Sequence, residues 1–379
     1  MRAAMASIIA TLTLSLVYGS VLAQTHVGGI PALESIHMVD ALTGWAVTVT
    51  RDPAVNELLR TTDGGVHWME VTPLRSSGRQ ILIENIAVLS SLIAWVESSE
   101  GISATVFQIS RTVDGGRTWR NVAIPSWSAI NFINTRDGWL LTHVVVAAGS
   151  EGVDIYRSTD GGDTWVREAS TTYDNQDSGL PFAGNKVAIT FLNTTTGWVT
   201  GGVNLPDWLY LYVTHDGGRT WRQQNLPLPP LVMPHWNAVT RPPTFFTPRD
   251  GILPVDYDVR NESGLKAIAA VVVFYATHDG GTTWTYTTPV SVTLGNGLST
   301  SFADAKHGWV TDGTALHATR DAGHQWTTIQ PASIFADVKQ LDFISPRVGW
   351  AVKQTSPVLL KTLDGGHTWV PVPYIVVRP

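Results

Sequence analysis

The stretch that decides the fold is QLDFISPRVGWAVKQTSPVLLKTLDGGHTWVPV, from Gln340 to Val372. It parses into four short β-rich runs. Gln340 to Ile344 leads into a turn over Ser345 to Gly349. Trp350 to Lys353 and Val358 to Thr362 come next, and His367 to Val372 ends the unit. Asp364-Gly365-Gly366 stands between the last two runs. Asp-Gly in that position is a hairpin signal, because tight hairpin turns need a positive φ that glycine adopts cheaply. The Asp364 carboxylate can accept backbone amides inside the turn, and the Thr362 hydroxyl can add a bond. Trp369 then lays a large apolar face over the hairpin. Nothing here follows a 3.6-residue period, so little helix is expected.

The box at the centre of this unit recurs: Thr or Ser, any residue, Asp, Gly or Ala, Gly, two variable residues, Trp. It stands at Thr61–Trp68, Thr112–Trp119, Ser158–Trp165, Thr214–Trp221, Thr277–Trp284, Thr319–Trp326 and Thr362–Trp369. Its aspartates are Asp63, Asp114, Asp160, Asp216, Asp279, Asp321 and Asp364, spaced 42 to 63 residues apart. A motif repeated at that period marks an array of supersecondary units. A second landmark precedes most copies: Gly44-Trp45, Ala94-Trp95, Gly138-Trp139, Gly197-Trp198, Gly308-Trp309 and Gly349-Trp350, with Gly251-Ile252 in the fifth unit. The landmarks absorb 13 of the 16 tryptophans, leaving Trp127, Trp208 and Trp236 to be explained otherwise.

A four-stranded unit cannot bury both of its faces alone, but units packed radially can. The fold class expected is therefore all-β, a seven-bladed β-propeller of four-stranded antiparallel blades. Residues 24–379 divide into roughly 51 residues per unit, which leaves nothing for a second domain. An open solenoid is the competing arrangement.

Composition narrows the function classes. With 44% apolar and 15% charged residues the chain is globular rather than disordered. A net charge of −6 gives no basic footprint, so nucleic acid is not an expected partner. There is no cysteine, hence no disulfide, thiolate zinc site or cysteine nucleophile. Arg2, the apolar run Ala3 to Tyr18 and the small residue Ala23 read as a signal peptide over residues 1–23, with Gln24 as the mature start. The mature chain is then expected to be secreted, extracellular or periplasmic, or at the cell surface. It is expected to be a monomer without a membrane span; the apolar run Ala267 to Ala276 is too short for one and reads as a buried strand.

The boxes resemble the Asp-box, or bacterial neuraminidase repeat. The pairing of Gly-Trp with a following Thr-x-Asp-Gly-Gly-x-Thr-Trp box is most similar to the photosystem II stability/assembly factor family. That resemblance implies a seven-bladed, non-enzymatic propeller with its boxes on the blade periphery. An arginine-rich patch implied by the same resemblance has no counterpart here, since the arginines are scattered.

Seven equivalent turns around a ring cannot converge on one ligand, so the box aspartates are expected to be structural. No His-x-His or His-Glu-x-x-His spacing occurs, and no metal or cofactor is expected. The A–B and C–D turns of each blade share one rim, and the variable B–C and D–A connections share the other, where binding residues usually sit. Long segments occur at Glu168 to Lys186, Gln223 to Pro243 and Asp256 to Lys266, in the third to fifth units. The candidate partner-binding residues there are Trp208, Trp236, His235, Arg241, Tyr173, Asp256, Tyr257 and Arg260, because Trp, Tyr and Arg anchor interfaces. The expected function is an exported, non-catalytic binding or assembly propeller for a protein or carbohydrate partner. The alternative is a glycoside hydrolase using loop carboxylates such as Asp174, Asp177, Asp256 and Asp258.

Overall fold

The computed structural model describes residues 30–49, 56–73, 81–100, 106–147, 149–232, 235–263, 266–293, 298–331, 335, 337–353 and 356–378. The segment read as a signal peptide lies outside them. Each box-bearing unit forms antiparallel strands A to D. Unit 1 comprises Leu33–Met38, Gly44–Thr48, Leu58–Thr61 and His67–Glu70; unit 2 comprises Leu82–Val88, Ala94–Ser99, Phe107–Thr112 and Arg120–Ile124. Unit 3 comprises Ser128–Phe132, Gly138–Ala147, Ser150–Ser158 and Val166–Thr171; unit 4 comprises Asn185–Phe191, Gly197–Gly202, Leu211–Thr214 and Arg222–Gln223. In unit 5 strands A and D are each broken in two. The order is His235–Thr240 with Thr244–Phe245, then Gly251–Arg260, Ala267–Thr277, and Thr285–Tyr286 with Val290–Val292. Unit 6 comprises Ser299–Phe302, Gly308–Thr311, Ala315–Thr319 and Thr327–Pro331; unit 7 comprises Val338–Phe343, Gly349–Lys353, Leu359–Thr362 and Val370–Val372. The molecule is an all-β propeller. Among the described residues the strands form six sheets rather than seven, because the pair Gly202↔Val239 joins units 4 and 5 into one ten-stranded sheet.

The boxes fold as hydrogen-bonded locks. In unit 3 the Ser158 hydroxyl donates to Asp160 Oδ1 (2.8 Å) and accepts from the Gly162 amide (2.7 Å). Asp160 Oδ1 also accepts from the Asp163 and Thr164 amides, and its Oδ2 accepts from the Thr164 hydroxyl at 2.6 Å. Such fixed donors stabilise the ionised carboxylate. For Asp114 the Thr118 hydroxyl and amide lead, and hold the carboxyl down at about 2. In Asp160, Asp216 and Asp364 burial pulls upward and is overcome by the threonine hydroxyls and amides of the turn, again to about 2. The amide after each Asp donates to a carbonyl of the A–B turn in the same unit: Gly64 to Leu42, Gly115 to Leu92, Gly161 to Arg136, Gly217 to Thr195, Gly280 to Arg249, Ala322 to Lys306 and Gly365 to Arg347, at 2.7–2.9 Å. The two sequence landmarks are thus one structure on one rim.

The same landmarks tie neighbouring units. The Nε1 of Trp95, Trp139, Trp309 and Trp350 donates to the carbonyl of Gly161, Gly217, Gly365 and Gly64, each in the next box, and the last bond joins unit 7 to unit 1. Trp198 reaches the fifth box through the side chain of Gln224. Unit 5 has Ile252 in place of the indole, and the Thr288 amide makes the crossing to Gly323 instead. Trp45 donates to Ser90 O in unit 2. Contacts therefore run from each unit to the next and back to the first, which closes the ring and rules out the open solenoid.

Strands A approach one another around the axis. Their free edges would be exposed pairing templates, and polar side chains cover them. Asn56 brackets the Ile83 backbone, Asn131 accepts from the Phe191 amide, and Ser299 and Ser301 accept from Leu341 and Phe343. Gln340 and Asp342 accept from Ile36 and Met38 across the seam. The seam has a further clasp. Ile375–Val377 adds a fifth strand to unit 1, parallel to His67–Glu70, and the Tyr374 hydroxyl donates to Pro31 O at 2.7 Å.

Candidate functional site

The rim opposite the boxes is uneven. The B–C hairpins of units 3 and 5 are built from strands of nine to eleven residues, whereas strands B and C elsewhere have four to six. These two hairpins stand on either side of unit 4. Exposed apolar side chains stand on this rim at Val144 and Val145 on the unit 3 hairpin, Ile268 on that of unit 5, and Tyr173, Leu205 and Leu231 on connections between them; the box rim carries others, at Leu42, Val66, Leu92, Val113 and Leu363. A cavity of about 400 Å³ opens among Gly149, Ser150, Ala183, Val203, Asn204 and Leu205.

Beneath that cavity lies a group of buried charges. Lys186 is fully buried, and its Nζ donates to the carbonyls of Glu151 (2.8 Å), Phe182 (3.0 Å), Ala183 (3.2 Å) and Gly184 (3.0 Å). Two of these carbonyls, of Ala183 and Gly184, belong to the connection that walls the cavity. Glu151 Oε2 accepts from the Lys186 amide (2.9 Å) and lies 3.2 Å from His143 Nδ1. The His143 ring stacks on Trp127 at 3.4 Å, which accounts for one of the unassigned tryptophans. Burial lowers the Lys186 ammonium to about 7 against the opposing pull of Glu151. Burial likewise lowers His143. Sequence reading missed this cluster because its members are separated in the chain and carry no motif. The one available signal was a lysine as the sole charge in the strand segment Asn185–Phe191; the strand of Glu151, Ser150–Ser158, carries other charges.

The sequence candidates divide into three groups. Trp236 and Tyr257 are 3% and 1% exposed, pack edge to face at 5.3 Å and belong to the core of units 4 and 5. The Tyr257 hydroxyl meets that of Tyr275 at 2.9 Å. Both rings are thus turned away from solvent, because residues 235–240 and 251–260 form strands A and B of unit 5 rather than loops. Asp256 and Arg260 also lie on a strand, Gly251–Arg260, so only residues 261–266 make the connection. Likewise Glu168 belongs to strand D of unit 3.

The second group is brought together at the junction of units 4 and 5. Asp207 Oδ2 contacts His235 Nδ1 at 2.9 Å, and the Asp207 amide donates to Trp236 O. This pins the connection carrying the half-buried Trp208 onto unit 5. Arg260 lies directly across from His235 in the A–B pairing. Arg241 donates to Asp256 Oδ2 through Nε (2.8 Å) and Nη2 (2.7 Å). Tyr173 stands apart, 76% exposed on the connection between units 3 and 4, with its ring edge-on to Phe182 at 5.9 Å.

Asp256 and Asp258 share one face of their strand, since alternate residues point the same way. Asp256 is held by Arg241. Partial desolvation raises the Asp258 carboxyl although the residue is exposed at the surface, Arg260 opposes this, and Asp256 adds to it. Among the described residues no group of three or more His, Cys, Asp or Glu is placed to hold a metal ion. No described helix is long and apolar enough to cross a membrane.

No family model matches the chain, and no curated protein sequence matches it. Solved structures do. The chain is similar to YCF48 bound to D1 peptide, at 14% identity and a TM-score of 0.56, with 90% of this chain and 95% of that one covered. It is similar to the GH74 xyloglucanase from Xanthomonas campestris, at 14% identity and a TM-score of 0.55, where 93% of this chain spans 55% of the enzyme. A prolyl endopeptidase matches at 11% identity and a TM-score of 0.54, with 98% of this chain spanning 51% of that one. At these identities the likeness is one of fold.

Proposed function

We propose that the protein is a seven-bladed Asp-box propeller, exported after loss of residues 1–23, that binds a segment of a partner protein on the loop rim of units 3 to 5. The observation that carries this reading is the notch over unit 4. Two long hairpins flank it, each carrying exposed apolar side chains, and a cavity opens in it. Loops held on a rigid scaffold are the usual place for a binding site. The buried Lys186 gathers four carbonyls beneath the cavity and holds its wall in one conformation, which limits the entropy lost on binding. The likeness to a propeller that holds a peptide supports a protein partner in general. Trp208, His235, Arg241, Asp256 and Arg260 would form the unit 5 side of this face, and Tyr173 its unit 3 side. Trp236 and Tyr257 would support it from below.

The test is partner capture from the native cell envelope by wild type and by Leu205→Glu, Tyr173→Ala and Leu92→Glu, the last on the opposite rim. The first two are expected to lose the partner with unchanged melting, and Leu92→Glu to keep it. Loss by Leu92→Glu alone would contradict the reading.

A second reading rests on Asp256 and Asp258. One carboxylate held by an arginine and a same-face neighbour with a raised carboxyl make the kind of carboxyl pair that glycoside hydrolysis uses. Release of reducing sugar from a polysaccharide panel, abolished in Asp258→Asn, would favour it over the binding module.

A further inference from the structure

In four consecutive units the indole of the Gly-Trp landmark lies under a cation from its own sheet. Lys361 lies over Trp350 at 4.7 Å, Arg60 over Trp45 at 5.9 Å, Arg111 over Trp95 at 5.7 Å and Arg157 over Trp139 at 5.3 Å. Each cation is the cross-strand partner of its tryptophan, on strand C immediately before the box. Three of them then reach a carbonyl three residues before the Gly-Trp or Ala-Trp pair of the next unit: Lys361 to Ala41 O, Arg60 to Ser91 O and Arg111 to Thr135 O. The fold thus repeats one small receptor for a cation, made of an indole face and a backbone carbonyl, and fills it from within.

In unit 6 the receptor is present and the cation is not. Ala318 is the cross-strand partner of Trp309. The carbonyl at the corresponding position of unit 7 belongs to Pro346, and Ala318 offers it no donor. In place of the clamp there is a cavity of about 380 Å³ lined by Trp309, Ala318, Pro346, Asp321, His307 and Arg320 among others. Unit 4 also has no cation opposite its indole, but there Val213 faces Trp198, which is 0% exposed like the four covered indoles, whereas Trp309 is 3% exposed and lines a cavity. The Asp321 carboxylate in the wall is ionised, since the Gln325 amide and the Thr319 hydroxyl outweigh its burial.

We infer that this cavity is a binding site for an alkylguanidinium or alkylammonium group, which takes the place that Arg60, Arg111, Arg157 and Lys361 occupy in their own units. Arg320 is exposed and stands on the outer wall, and His307 is paired with Asp304 at 2.9 Å. An anion at the mouth is therefore the competing occupant. The inner parts decide between them, because an indole face and a carbonyl oxygen attract a cation and repel an anion. The site lies on the box rim, opposite the proposed partner face, and does not depend on it.

The experiment follows the indole N–H resonances of the ¹⁵N-labelled protein during titration with Nα-acetyl-arginine methylamide, its neutral isostere Nα-acetyl-citrulline methylamide, ethylguanidinium and inorganic phosphate. The arginine derivative is expected to give a saturable shift of the Trp309 indole, at least tenfold tighter than the citrulline derivative. Tighter binding of the arginine derivative than of ethylguanidinium would assign the site to a peptide-borne side chain, and equal binding to the free cation. Ala318→Arg supplies the missing clamp, so it is expected to abolish the shift and raise the melting temperature. Ala318→Lys is the second variant, with the same expected loss. Equal binding of the citrulline derivative, a shift with phosphate alone, no saturable shift, or full binding retained by both Ala318 variants would each overturn the inference.

Discussion

Phe132 and Gly138, six residues apart, make one contact that depends on the absence of a side chain. A methyl group on Gly138 would fall 2.3 Å from the Phe132 ring, which itself stacks on Trp95 of the preceding unit at 3.8 Å. The arrangement repeats with Phe191 and Gly197, Phe245 and Gly251, Phe302 and Gly308, and Phe343 and Gly349. Unit 2, whose landmark begins with Ala94, has the smaller Val88 at the equivalent place. Gly138→Ala is expected to cost about 1–3 kcal/mol through overpacking. Phe132→Val would be destabilising alone through lost stacking, yet the double variant should regain part of the Gly138→Ala loss. Denaturant midpoints of the four proteins give the coupling, and strict additivity would refute it.

Acid should release the box locks. The folded carboxyls of Asp114, Asp160, Asp216 and Asp364 sit at about 2, below their unfolded value near 3.8. Their contribution is fully present above the unfolded value and is lost as pH falls through the folded one. Melting temperature is expected to drop between pH 4 and pH 2. Asp216→Asn should lower stability at pH 7, and its deficit should shrink as pH falls towards 2, as calorimetry across that range would show.

Lys186 predicts a slope of the opposite origin. Its folded value near 7 lies below the unfolded 10.5, so between them the unfolded chain holds a proton that the folded chain has released. Stability therefore rises with pH across that window. Urea midpoints from pH 7 to pH 9.5, below the range where unfolded tyrosines ionise, are expected to climb in wild type. They should stay flat in Lys186→Met; a matching climb there would assign the slope to other groups.

The clasp at the seam should govern ring opening. Deleting residues 374–379 removes the fifth strand of unit 1, the Tyr374 bond to Pro31 and the Arg378 pairing with Glu57 at 2.9 Å. Hydrogen exchange is expected to quicken in units 1 and 7 and to remain slow in units 3 and 4. Uniform quickening would mean the ring opens elsewhere.

Much of this was legible in the residues. Seven boxes and their Gly-Trp partners were enough for the strand parse of Gln340 to Val372, the low helix content and the assignment of both landmarks to one rim. What escaped was relational. The bond from Trp139 to Gly217 spans 78 residues and leaves no local pattern. Residues 235–240 looked like loop because prolines surround them, so Trp236 passed for a surface residue although it packs on Tyr257. The six-residue interval from Phe132 to Gly138 was present in the sequence and repeats in five units, so this contact within the blade was open to discovery there.

The division of labour between the rims is best tested by photo-crosslinking in the native host. A photoreactive residue placed at position 205 on the loop rim, and separately at position 92 on the box rim, should crosslink a partner protein from position 205 alone. Crosslinks from position 92 alone, or equally from both, would contradict the assignment of binding to the loop rim of units 3 to 5.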